Sequence, residues 1–206
     1  ETDGEPVPAA AGRYQDYIHW LQRQDAAVAE RFWNGQLAEL EAPTRLAPCF
    51  RAAGQGHGEL RHDFAVAVTA QLGEFAREQR VTLNTLLQAT WMLLLQRYTG
   101  QATVTFGATV AGRPAELQGV EEQLGLFINT LPVVGSPRAE QRVADWVQEV
   151  QALNLTLREH EHTPLYEVQR WAGWAGEALF DSIMVFENYP CLLYTSPSPR
   201  DRQKYR

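Results

Sequence analysis

The chain predicts an α/β fold, with helices layered on a single sheet, and three observations carry that prediction. Amphipathic stretches of helical period alternate along the chain with short runs of alternating or β-branched residues, the pattern of layers around one sheet. With 206 residues, 45% of them hydrophobic and 21% charged, it can bury one domain-sized core. No internal repeat is present, and no apolar run approaches the roughly 18 to 20 residues that a membrane span requires.

Residues 1–13 mix Gly, Pro, Ala and acidic side chains without hydrophobic period and read as a linker. From Tyr14 the period is helical. Tyr17, Trp20 and Leu21 share a face; Asp25 is a reasonable N-cap, and Val28, Phe32, Leu37 and Leu40 continue an apolar side, so a broken helix pair ends before Pro43. Residues 42–58 form a loop. Its run Gly54-Gln55-Gly56-His57-Gly58 has no helix N-terminus after it and reads as a connector rather than a phosphate cradle.

Leu60 to Val68 alternates like a strand, with Leu60, His62, Phe64 and Val66 on one face, and Thr69 caps a helix through Arg80. Thr82 starts the strongest helix. Its stripe comprises Leu83, Leu86, Leu87, Thr90, Trp91, Leu94, Leu95 and Tyr98, and Gly100 sits where a helix end favours a left-handed residue. Ala102 to Val110 is a strand closed by the turn Ala111-Gly112-Arg113-Pro114; a second strand runs through Gln123 to Val134. A helix from about Arg142 to Glu161, a break at Pro164, a short helix through Trp171 and Trp174, and a last strand from Leu179 to Phe186 complete the order.

Two cysteines, Cys49 and Cys191, make no disulfide framework and fit a reducing cytoplasm. A net charge of −7 argues against nucleic acid as a partner. The chain shows no signal peptide. Residues 191–206 differ in composition from the rest: Arg200, Arg202, Lys204 and Arg206 against Asp201 make them basic, and Lys204 is the sole lysine of the chain. They read as a foreign, disordered tail, or else as a basic interaction tail.

Candidate chemistry is sparse. His160-Glu161-His162 ends a helix, where residues two apart point to opposite sides, and no third ligand has suitable spacing, so no metal site is expected. There is no GxSxG elbow, no P-loop lysine, and no base near Cys49 in sequence. The informative stretch is Gly125-Leu126-Phe127-Ile128-Asn129-Thr130-Leu131. A side-chain amide among apolar neighbours costs about 1 to 3 kcal/mol unless it is partnered, so Asn129 is either satisfied within the fold or offered to a ligand.

That stretch resembles the GxFxNT motif of the condensation domains of nonribosomal peptide synthetases. Two further strings occur in that family's order: Tyr14-Gln15-Asp16-Tyr17-Ile18-His19-Trp20 is similar to its YxDYAxW motif, and Leu179 to Pro190 resembles a late strand ending in FENYP. The family's HHxxxDG motif does not occur in the chain. The resemblance therefore implies the C-terminal lobe of such a domain over residues 14–190, a chloramphenicol acetyltransferase-like lobe with a mixed sheet covered by helices. It implies no catalytic residue within the chain, which alone would be inactive. The complete domain, an acyltransferase, would join a carrier-bound acyl or peptidyl thioester to a carrier-bound amine in secondary-metabolite and antibiotic biosynthesis.

The partners implied are peptidyl or acyl carrier domains, the N-terminal lobe of the same domain and an adjacent adenylation domain, with neither nucleic acid nor membrane. No cofactor would be bound directly; the phosphopantetheine arms of the carriers would enter a tunnel lined by Gly125, Asn129 and Thr130. Arg113 would serve in a structural ion pair or in carrier contact. The sequence around His160 to Glu167 departs from the family's HQDYPFE pattern, which leaves donor stereochemistry open. An epimerisation domain, a coenzyme A-dependent acyltransferase and a non-catalytic carrier-docking platform are the rival readings.

Overall fold

A computed structural model describes residues 12–50, 56–114 and 116–187. The expectations for residues 1–11, for the end of the FENYP string and for the tail at 191–206 lie outside them. The described residues form six α-helices and three strands: α1 (Tyr14–Gln22), α2 (Ala26–Leu37), α3 (Val66–Glu78), α4 (Leu83–Thr99), β1 (Val104–Val110), β2 (Asn129–Gly135), α5 (Val143–Arg158), α6 (Leu165–Trp171) and β3 (Ile183–Met184).

The sheet is mixed, in the order β2-β1-β3. β1 and β2 run antiparallel from Val104 opposite Gly135 to Val110 opposite Asn129, and β3 lies parallel to β1 at Gly107 and Ala108. α4 lies against β1 and α5 against α4, where the Trp146 indole donates to the Ala89 carbonyl at 3.2 Å. α6 packs on β2 and α2. The core under these helices gathers Trp33, Met92, Leu95, Val104, Phe106, Leu131, Val133, Val147, Val150 and Val168. A smaller cluster, Tyr17, Val120 and Phe127 with Tyr14, Trp20 and Leu117, fastens α1 to the stretch preceding β2.

Several capping signals act as the sequence predicts. Asp25 accepts the Ala27 and Val28 N–H groups, Thr82 accepts the Thr85 N–H, and Gly100 ends α4 at φ +72°. Other expectations fail for identifiable reasons. Residues 57–65 form no strand, and Leu60 and Val66 stand 96% and 87% exposed. Alternation specifies a face only when a neighbouring strand and a core receive it, and none reaches this segment among the described residues. Val66 instead opens α3 with Ala65 as N-cap, so Thr69 sits inside the first turn and its hydroxyl bonds back to the Ala65 carbonyl at 3.4 Å.

The second strand starts only at Asn129, because β1 ends opposite it at Val110 and leaves residues 124–128 without a partner. The last strand shrinks to Ile183–Met184 for the same reason, with one isolated bridge between Thr44 and Phe180. In α2 the buried face is Ala29, Trp33 and Leu37, and Val28 points outward. In α4 the buried side chains include Thr85, Gln88, Ala89 and Met92, whereas Leu94 and Tyr98 are exposed. α5 ends at Arg158 and α6 at Trp171, shorter than their patterns suggest.

Candidate functional site

The turn after β1 and the approach to β2 are built around one ring. Gly112 turns the chain at φ +58°, and a Cβ there would enter the Phe127 carbonyl. Arg113 follows, donating to the carbonyls of Val120 and Gln123, the latter at 3.2 Å, while its guanidinium lies 4.2 Å from the Phe127 ring centre. Cation and π-face attract one another here. No carboxylate pairs with Arg113 among the described residues; carbonyls and a ring take the place of the expected ion pair.

Phe127 is buried, with Tyr14 edge-on at 5.3 Å and Tyr17 tilted at 4.7 Å. The Tyr14 hydroxyl donates to the Leu126 carbonyl at 2.9 Å, and its ring occupies the space that a Cβ on Gly125 would take. The two tyrosines of α1 thus lock the extended stretch before β2, while Leu124, Leu126 and Ile128 face outward.

Asn129 opens β2. Its Nδ2 donates to the carbonyls of Glu161 and Thr163, both at 2.8 Å, and its Oδ1 accepts the Thr130 N–H at 2.9 Å. Both donor hydrogens are spent, so the amide acts chiefly on the 159–163 turn. Thr130, half-buried, pairs with Thr109 across the ladder.

That turn carries the titratable groups. His160 stacks on Phe32 with centroids 3.8 Å apart, and His162 meets Trp20 edge-on at 5.3 Å. Burial lowers both imidazoles below their ordinary range, the neighbouring imidazole adding to the effect at His162. Burial raises the Glu161 carboxyl against the pull of the Gly112 N–H and Arg158, and it raises the Tyr17 phenol. No group of three metal-ligating side chains occurs among the described residues. Asp181 is committed to backbone, accepting the Leu46 and Ala47 N–H groups at 2.8 Å each, and Cys49 is exposed. No helix among the described residues is long and apolar enough to cross a membrane.

Beside this cluster, a cavity of about 630 Å³ opens between β1 and β2 on one side and α4 and α5 on the other. Its lining includes Trp20, Gly112, Arg113, Glu161 and His162, and a polar wall of Thr85, Gln88 and Asn154. Sequence reasoning missed this wall, because the hydrophobic stripe assigned to α4 passes over Thr85 and Gln88. The one signal that could have found them is their i, i+3 spacing on one face of that helix.

The condensation-domain family profile matches residues 1–205. A linear gramicidin synthase subunit of Brevibacillus parabrevis is 43% identical over 197 residues, covering 92% of this chain and 2% of that protein. Surfactin synthase subunit 3 of Bacillus subtilis is 37% identical over 179 residues, covering 86% of this chain and 14% of that protein. The first condensation domain of the calcium-dependent antibiotic synthetase, solved with a substrate analogue, superposes with a TM-score of 0.69 at 22% identity, covering 90% of this chain and 42% of that one. The X-domain from teicoplanin biosynthesis gives 0.63 at 21%, covering 87% and 43%.

The mixed sheet covered by helices is therefore the fold of this class. The chain belongs to the condensation-domain family, as the synthetase resemblance implies, and it spans a small part of its curated relatives and about two-fifths of the two solved chains.

Proposed function

We propose that residues 14–190 are the C-terminal lobe of a condensation domain that forms an amide bond in nonribosomal peptide synthesis, with the HHxxxDG histidine supplied by an N-terminal lobe outside this chain. The observation that carries this reading is the family match along residues 1–205, on a chain that spans about two-fifths of a solved condensation domain. In the reaction the amine nitrogen of one carrier-bound aminoacyl group attacks the thioester carbonyl of the other carrier's acyl group. The C–N bond forms, the C–S bond breaks, and the proton lost by the amine ends on the released thiol. A thioester already supplies the driving force, so the protein's contribution is positioning, with the upstream histidine moving the proton.

The groups to be positioned arrive on phosphopantetheine arms that belong to the carriers. Gly125, Asn129 and Thr130 stand where the lobe would line their path, in this reading, with Asn129 fixing the 159–163 turn rather than spending its donors on the arm. Arg113 holds the shape of the Gly112 turn. A cytoplasmic setting and an adjacent adenylation domain belong to the same proposal.

The test is to recover the parent coding sequence on both sides of this chain, express the complete domain, and offer it two loaded carriers. Amide product by mass spectrometry, absent when this chain alone is used, is the expected result. Carrier binding without turnover by the complete domain would replace the enzymatic reading with a docking platform. A downstream reading frame that departs from residues 191–206 would identify that tail as foreign; a matching frame would make it native.

A further inference from the structure

α1 and the stretch before β2 stand apart from the rest of the core. Tyr17, Val120 and Phe127, with Tyr14, Trp20 and Leu117 packed on them, belong to a cluster drawn only from α1 and from residues 117–127. The larger core under α2 to α6 includes no residue of either segment. Each segment therefore buries its apolar side chains against the other, and neither keeps an apolar partner if the other leaves.

Hydrogen bonding draws the same boundary. Among the described residues one bond leaves α1 for another segment, from the Tyr14 hydroxyl to the Leu126 carbonyl at 2.9 Å. The backbone bonds of residues 117–128 are local: Leu117 N–H donates to Pro114, Val120 N–H to Leu117, Glu122 N–H to Gly119 and Gln123 N–H to Val120. No ladder bond reaches them, since β2 begins at Asn129. The ties across the boundary are the Arg113 guanidinium on the Val120 and Gln123 carbonyls and over the Phe127 ring, the Gly112 turn against the Phe127 carbonyl, and the edge-on contact of Trp20 with His162. These are contacts of turns and single side chains, without a shared apolar core.

An element held by few buried contacts and local hydrogen bonds opens at a lower free energy than the body it rests on. We propose that α1 and residues 117–128 form a strap that opens as one cooperative unit while the sheet and α2 to α6 stay folded. Its hinges are the connection 23–25 before α2, the Gly112 turn after β1, and Asn129, which its side-chain bonds pin to the 159–163 turn. Opening exposes Phe127 and draws Trp20 out of the lining of the 630 Å³ cavity, where it stands with Gly112, Arg113 and His162. The strap is thus a gate over that side of the cavity.

The experiment is amide hydrogen exchange of the 206-residue chain at a series of low urea concentrations, resolved by NMR. The Leu21, Gln22, Val120 and Gln123 amides should share one opening free energy and one urea dependence, both smaller than those of the α4 and α5 amides. Tyr14→Phe deletes the hydroxyl bond between the two segments and should speed exchange about fivefold in both, the effect of one hydrogen bond, with α4 and α5 unchanged. Thiol labelling supplies a second measurement. Val120 and Val150 are 3% and 1% exposed, so iodoacetamide should reach Val120→Cys through strap opening and Val150→Cys, in the α5 core, more slowly through global unfolding.

Protection of α1 equal to that of α4 would overturn the strap. So would a response to Tyr14→Phe that is absent, confined to one of the two segments, or shared by α4, and so would equal labelling of the two thiols.

Discussion

Phe127 shows how much one ring can organise. It receives Tyr14, Tyr17 and the Arg113 guanidinium, so residues of two separate sequence motifs and of the Gly112 turn are a single packing unit. Gly112 is the tightest point of that unit. Gly112→Ala adds both a strained left-handed backbone and a Cβ against the Phe127 carbonyl, and should cost about 1 to 3 kcal/mol, read as a lowered urea midpoint at unchanged m-value. Asn129→Leu should cost a comparable amount, about 1 to 3 kcal/mol, because the Glu161 and Thr163 carbonyls lose their donor together. A substitution with no effect on the urea midpoint would mean that water replaces the amide freely.

The 159–163 turn is the element whose behaviour depends on pH. His160 and His162 have folded-state values below the ordinary 6.5, so the unfolded chain binds more protons in the window beneath 6.5. Their contribution is complete above pH 6.5 and is lost as pH falls from there toward the depressed folded values. Glu161 runs the other way: its raised value makes the protonated form favourable below about 4.5, and that contribution disappears as pH rises through the folded value.

Between pH 7.5 and 5.5 the imidazoles should therefore lower the melting temperature. The double variant His160→Phe, His162→Phe keeps rings against Phe32 and Trp20 and removes both protons. Its melting temperature should fall less over that range; a fall equal to the parent's would place the titration elsewhere.

At the scale of the whole molecule, apolar side chains are exposed in three extended segments: Leu60 and Phe64; Leu124, Leu126 and Ile128; Ile183 and Val185. Exposed extended segments of this composition are prone to pair or aggregate. The chain covers 42% of a solved condensation domain, and in the complete domain proposed above part of this surface would be covered. Backbone amides of residues 57–65 should exchange with solvent without protection in the isolated chain and gain protection in the complete domain. Equal exchange in both would show that the alternation at Leu60 to Val66 never forms a strand.

What the sequence by itself determined was local or compositional. The helices, the Asp25, Thr82 and Gly100 caps, the β1 alternation and the family all follow from side-chain period, backbone preference and motif order, which need no knowledge of what lies opposite. Tertiary structure alone decided strand length, burial and use. A strand exists only where another offers its hydrogen bonds, which is why β2 begins at Asn129 and the run at Leu60 pairs with nothing among the described residues. Asn129 proved to bind a turn more than thirty residues away along the chain, and Gln88 proved to be buried and unpartnered in a cavity wall. Both outcomes depend on contacts between segments distant in sequence, and a period of 3.6 or 2 carries no information about which segments will meet.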